Sequence, residues 1–136
     1  MISQDKTIWT PAERQAWKRP ERITVSQWAD SYRYLNSVTS AEPGRWKTAR
    51  TPYLQGIMDA FTDPYVEEIT VMSASQVGKT EGMFNMLGYI IDQDPGPTLV
   101  VLPRENDAKG VSYNRVLPMI QGSPVLREHI DRKSVV

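Results

Sequence analysis

At 136 residues the chain is long enough for one domain with a buried core, and its 40% apolar and 24% charged residues are ordinary for a globular protein. It contains no cysteine and a single histidine, His129, which excludes disulfides, thiolate metal sites and a histidine-based metal site. Its 16 basic and 16 acidic residues cancel, no apolar run approaches the ~20 residues of a membrane span, and MISQDKTIWTPAERQ lacks the basic-then-apolar pattern of a signal peptide. The expectation is a protein without membrane contact, made in a cytoplasm.

Residues 1–23 show no clear period and contain Pro11 and Pro20, so they read as an N-terminal arm with at most one short helix, from Pro11 to Lys18. Thr24 with Gln27 three residues on forms a capping box, which predicts a helix over Val25 to Tyr34. Residues 35–50 are small and polar with a Pro-Gly turn signal, and read as loop. Thr51-Pro52 predicts a second helix, with the hydroxyl as cap and proline at the first helical position. Leu54, Ile57, Met58 and Phe61 fall on one face of it, and Asp63-Pro64 stops it. VEEITVM, 66–72, reads as a short buried strand. Residues 80–91 predict an amphipathic helix with Met83, Phe84, Leu87, Ile90 and Ile91 on its apolar side. DQDPGP is a turn segment, and TLVVL, 98–102, has the continuous apolar run of a parallel-sheet strand. A helix over Asn106 to Leu117 follows, and Ser123-Pro124 caps a last short one. Strand, loop, helix, strand, helix predicts an α/β fold with a parallel βαβ unit preceded by N-terminal helices.

Local charge is uneven. Arg14, Lys18, Arg19, Arg22, Arg33, Arg45, Lys47 and Arg50 share the first third of the chain with all 4 tryptophans, Trp9, Trp17, Trp28 and Trp46. Two readings stand: a nucleic-acid surface, where cations meet phosphates and rings stack on bases, or a solvated basic face over tryptophans packed as core. Overall neutrality favours the second.

The chemistry rests on SASQVGKT, Ser73 to Thr80. A phosphate-binding loop has the form G-x-x-x-x-G-K-[ST]: backbone N–H groups cradle phosphates, the lysine reaches the β and γ phosphates, and the hydroxyl holds Mg²⁺. Gly78, Lys79 and Thr80 fill the last three places, and Ser73 replaces the first glycine, which a serine can do where φ stays negative. A bare Gly-Lys-Thr or Gly-Lys-Ser arises by chance in roughly one of twenty chains of this length. Context sharpens it, because the loop leaves an apolar run and opens an amphipathic helix whose N–H groups and dipole favour an anion.

TVSQWADSYRYL (24–35), SAEPGRWKTARTPYLQGIMDA (40–60) and DPYVEEITVMSASQVGKTEGMFNMLGYIIDQDPGPTLVVLP (63–103), with the helix that follows, together resemble the large subunit of tailed-phage terminases, of the lambda-type A-protein family. Members are ATP-driven motors that thread double-stranded DNA into a capsid and cut concatemeric DNA. The resemblance implies a P-loop NTPase fold over 24–136, ATP and Mg²⁺ as ligands, and host cytoplasm as the setting. It implies the terminase small subunit, the capsid portal and further copies of the chain as partners. On the residues, it implies Lys79 as the catalytic phosphate contact, Thr80 as Mg²⁺ ligand, and Ser73, Ala74, Ser75, Gln76, Val77 and Gly78 as the cradle. Tyr53 and Gln55 are candidates for an adenine contact, although Leu54 occupies the place where the family pattern puts its glutamine; a surface glutamine and a half-buried tyrosine are the plain alternative.

Two departures follow. Many relatives carry an arginine inside the loop to stabilise the transferring phosphoryl group, and here that place is Ser75. Arg104, at the carboxyl end of the second predicted strand, is a candidate substitute, against the reading of a solvated helix-start residue. No apolar strand ending in an acidic pair follows Thr80: Asp92 and Asp94 read as turn residues and Asp131 follows a short helix. The carboxylates for Mg²⁺ and water, and those of the nuclease, are therefore expected beyond this sequence, which makes it the inactive N-terminal piece of an ATPase and endonuclease. The alternatives are another P-loop nucleotide-binding protein, kinase- or helicase-like, and a non-catalytic DNA-binding or assembly module.

Overall fold

The computed structural model describes residues 9–18, 22–37 and 40–129. In chain order these form α1 (Pro11–Ala16), α2 (Val25–Tyr32), β1 (Tyr34–Leu35), β2 (Gly44–Arg45), α3 (Gln55–Ala60), α4 (Lys79–Gln93), α5 (Glu105–Val111), α6 (Leu117–Gly122) and α7 (Pro124–His129). Two 3-10 turns, Thr48–Arg50 and Pro52–Leu54, lead into α3, and a π-helical turn, Ser112–Val116, joins α5 to α6. The architecture is helix-rich with one small antiparallel pair, Tyr34 opposite Arg45 and Leu35 opposite Gly44. No helix among the described residues is long and apolar enough to cross a membrane.

Local chemistry accounts for the first two helix starts. Thr10 with Glu13 and Thr24 with Gln27 close capping boxes at α1 and α2. Asp59 of α3 reinforces the second, accepting from the Ser26 N–H at 3.0 Å and its hydroxyl at 2.9 Å. At the other end of α2, Arg45 donates to the Ser31 carbonyl at 2.8 Å, satisfying an orphan acceptor. Helix α2 ends two residues before the expected Tyr34, which opens β1; the rest of the β1–β2 pair lies in the stretch that reads as loop, because two-residue strands show no period.

Thr51 does not cap. At φ −133° and ψ 62° it lacks the extended geometry of an N-cap; its hydroxyl is buried without a partner, the chain makes a 3-10 turn, and α3 begins at Gln55. The helix expected over Asn106 to Leu117 is likewise divided. Pro118 has no N–H to offer the carbonyl four residues back, and the helix widens into the π turn just before it.

Helix α4 is the centre of the core. It packs against α2, α3 and α7, and the buried cluster comprises Val25, Trp28 and Ala29 of α2, Trp46, Leu54, Met58 of α3, Phe84 of α4, Met119 and Ile120 of α6, and Leu126 of α7. Its buried face is Gly82, Phe84, Asn85 and Gly88, while Met83 of the expected apolar side is 57% exposed. Phe84 of that side is buried and Leu87 and Ile91 pack half-buried against the core, and two glycines join the buried face because bulky partners lie over them. A Cβ on Gly88 would stand 2.9 Å from Cζ3 of Trp28 and closer still to Cη2, and Leu54 and Met58 lie over Gly82.

No parallel βαβ unit is formed among the described residues. Residues 66–72 and 98–102 have no regular secondary structure and pair with no strand there, and most of them are exposed, Met72 and Leu99 almost wholly. Parallel strands hold only inside sheets covered on both faces, and two strands alone are marginal. Neither condition is met among the described residues.

Gly88→Ala is expected to destabilise the fold by about 1–3 kcal/mol through overpacking, against the gain of up to ~1 kcal/mol that alanine brings to a helix. Gly56→Ala in α3, where a Cβ meets nothing within 4 Å, is expected to be neutral or stabilising. Paired thermal melts check the opposite signs.

Candidate functional site

The segment from Ser73 to Thr80 joins the run 66–72 to the N-terminus of α4. Gly78 is its N-cap residue, in the left-handed region at φ 81°, which favours glycine. Gln76 also has positive φ, 58°, rare for a non-glycine residue and strained by about 1–2 kcal/mol. Ser73 is absent from the positive-φ positions, in keeping with the condition under which serine replaces glycine there. Two left-handed residues bracketing Val77 fold the chain back into a tight, exposed loop above the helix, whose first-turn N–H groups have no intrahelical acceptors.

The Lys79 ammonium donates to the Ala74 carbonyl, five residues back, at 3.1 Å. The lysine therefore lies across the loop. Thr80, the next residue of α4, is exposed. Tyr53 is tied to the loop as well, its hydroxyl donating to the Val77 carbonyl at 2.8 Å. Gln55 begins α3 and is exposed. Arg104 stands at the N-cap of α5, exposed, with no hydrogen bond or ion pair to the loop among the described residues. The structure thus brings Tyr53, the loop, Lys79 and Thr80 together and leaves Gln55 and Arg104 without a bond to them.

Beside Lys79 opens a cavity of about 610 Å³, walled by Leu54 and Ile57, by Val66, Ile69 and Val71 of the run before the loop, and by Met83 and Met86 of α4. The exposed methionine face of α4 forms one side of it.

One charged group beside the loop escaped the sequence reading. Glu81, in the first turn of α4, accepts from Arg33 Nη2 at 3.0 Å and from Arg115 Nη1 at 3.5 Å. Arg33 is buried, and burial lowers its pKa while the Glu81 carboxylate opposes that shift. Residue spacing held no signal for this cluster, because its three members come from distant parts of the chain. Asp92 lies in the last turn of α4 rather than in a turn segment; its carboxylate accepts from Trp28 Nε1 at 2.8 Å and contacts His129 Nε2 at 2.8 Å. Asp131 and Arg19 lie outside the described residues. Among the described residues no group of three or more acidic or histidine side chains is placed to hold a metal ion.

The tryptophans divide between the two readings. Trp28 and Trp46 are core, whereas Trp9 and Trp17 meet edge to face at 5.9 Å on the outside of α1, and both are exposed.

Gln76→Gly is expected to relieve the left-handed strain and keep the loop, with stability equal or higher by up to ~1 kcal/mol. Gln76→Val, β-branched, is expected to lower it by about 1–2 kcal/mol; denaturant titrations of both variants check the order.

The large subunit of the terminase of Escherichia phage lambda is 32% identical over 108 residues, which cover 79% of this chain and 16% of that protein. The chain therefore spans about a sixth of the length of that relative. No solved structure matches it. The family described as phage terminase large subunit gpA, ATPase domain, matches residues 40–135, and by both comparisons the chain belongs to the phage terminase large subunit family.

Proposed function

We propose that Ser73 to Thr80 binds the phosphates of ATP, and that this chain is the ATP-binding portion of a viral DNA-packaging motor. The observation that carries the reading is the loop itself: a left-handed Gly78 at the N-cap of a 15-residue helix, with the Lys79 ammonium lying across the loop on a carbonyl oxygen. Such a lysine already faces an electronegative atom, and a phosphate oxygen offers it a stronger, charge-assisted partner. The donor set fits a triphosphate with Mg²⁺: backbone N–H groups, one ammonium, one hydroxyl, and no carboxylate within Ser73 to Thr80 to repel an anion.

In this reading Ala74 to Gly78 form the cradle, with Ser73 at its entrance. Lys79 neutralises the β and γ phosphates. Thr80, on the exposed first turn of α4, offers its hydroxyl to Mg²⁺, which supplies charge neutralisation at the phosphates when bound. Tyr53 acts on the loop from outside, because its hydroxyl holds the Val77 carbonyl; its ring, not its hydroxyl, is then what remains for a base. Ser75 carries no charge, so the phosphoryl-stabilising cation comes from Arg104, from another subunit or from residues outside this chain.

For the whole protein we propose ATP-driven translocation of double-stranded DNA into a capsid and cutting of concatemers, with the small subunit, the portal and further copies of the same chain as partners, in the cytoplasm of the host. We place residues 1–23 in an arm and 24–136 in the N-terminal portion of a P-loop ATPase domain. Residues 66–72 and 98–102 become strands there, and the hydrolytic and nuclease carboxylates come from elsewhere in the protein. The support is the β-branched, apolar composition of those two runs. On this account the present chain binds Mg²⁺–ATP without turning it over.

Lys79→Ala is expected to weaken binding of a fluorescent ATP analogue with Mg²⁺ by about 10- to 100-fold, the loss of one charge-assisted contact. Thr80→Ala is expected to remove the Mg²⁺ dependence and leave a metal-independent remainder. Binding by Lys79→Ala equal to that of the parent chain, in samples with equal melts, overturns the assignment.

A further inference from the structure

The Glu81 carboxylate is shared by two arginines from opposite directions in the chain. Arg33 lies 48 residues away in sequence and Arg115 lies 34 away. Arg33 follows α2 directly. It is held there by two further bonds: its Nη1 donates to the Tyr34 carbonyl, and its own carbonyl accepts the Trp46 N–H at 2.9 Å. With its side chain 4% exposed, it is a fixed point of the N-terminal helical layer. Arg115 differs. It sits on the π turn before Pro118, its side chain is 42% exposed, and its contact to Glu81 is longer.

Glu81 itself is the third residue of α4, immediately after Lys79 and Thr80. Successive helix residues are turned by about 100°, so a carboxylate pinned at position 81 sets the azimuth of positions 79 and 80. The buried Arg33 would otherwise keep an uncompensated charge in the core, which makes the Glu81–Arg33 contact hard to give up. A like argument for Arg115 is weak, since exposed pairs contribute little stability. Its contact can be gained or lost at small energetic cost.

We propose that Glu81 is a positioning residue for the phosphate-binding loop, anchored by Arg33 to the N-terminal helices and reached by Arg115 from the π turn, so that the α5–α6 segment adjusts how Lys79 and Thr80 are presented. This rests on the phosphate-binding reading of Ser73 to Thr80. Arg33 sets the azimuth of α4 from one side, and Arg115 tunes it from the other. Movement of α5 and the π turn then reaches the loop through one carboxylate, without touching the nucleotide.

The test uses the full chain and three variants: Arg115→Gln, Arg33→Lys and Glu81→Asp, which keeps the charge but draws it back by one methylene. Amide NMR without nucleotide is the first readout. Arg115→Gln is expected to shift the Gly78, Lys79 and Thr80 amides, far from it in sequence, while leaving the Trp28 indole signal and the melt in place. Affinity for a fluorescent ATP analogue with Mg²⁺ is the second. Expected losses are about threefold for Arg115→Gln and about tenfold for Glu81→Asp, beyond any loss of folded fraction. Loop amides unmoved in Arg115→Gln and in Arg33→Lys overturn the proposal, whether or not the parent chain binds ATP. An affinity loss that only tracks the melt overturns it too and leaves a structural ion pair. A parent chain that binds no nucleotide, with loop amides that still respond to Arg115, refutes the phosphate reading and keeps the coupling.

Discussion

The fold hangs on the approach of Trp28 to the backbone of α4 at Gly88. A glycine there lets the indole lie against the helix itself, and the ring is then fixed at its polar end by the bond from Nε1 to Asp92. A fully buried tryptophan with its N–H satisfied combines a large apolar contact with a directional one. That contact sets where α2 crosses α4. It also decides which face of α4 is inside, and therefore that Met83 is exposed on an open cavity while Met86 stands between that cavity and the core. Asp92 extends the same junction to α7 through His129, so three helices meet at one indole.

The candidate phosphate loop stands at the other end of the same helix. Its conformation is imposed from three sides: left-handed backbone at Gln76 and Gly78, the hydroxyl of Tyr53 on the Val77 carbonyl, and the Arg33–Glu81 contact below. Strain at Gln76 persists because these neighbours over-determine the turn. Under the function proposed above, such a loop needs little backbone reorganisation to receive an anion, since the N–H groups of the first helical turn are free of intrahelical partners. The α2–β1 junction thus reaches the site through Arg33, although none of its residues lies in the loop.

The apolar runs on either side of α4 behave differently. Their valines, Leu99 and Met72 are exposed, and their backbones pair with no strand among the described residues. An edge of this sort is a template for further strands, and the whole terminase large subunit is the natural source of such strands under the function proposed above. The core around Trp28 needs none of them, because it is made by helices contacting helices.

Sequence alone determined the features that depend on neighbours in the chain. The capping box at Thr24, the end of α3 ahead of Asp63-Pro64, the ends of α4 to within two residues each, and Gly-Lys-Thr at the head of an amphipathic helix are all set by contacts spanning a few positions. The family membership is legible for the same reason, as it is carried by contiguous segments. Tertiary structure decided the rest. Thr51 failed to cap because the chain turned into a 3-10 coil first, and Met83 was left outside while Gly82 and Gly88 were buried because bulk from α2 and α3 sought glycines that a hydrophobic count treats as gaps. The runs at 66–72 and 98–102 have strand composition, yet a ladder requires partners that composition does not supply. Arg33, Glu81 and Arg115 met only because three distant segments folded together, and no pattern along the chain encodes a meeting of that kind.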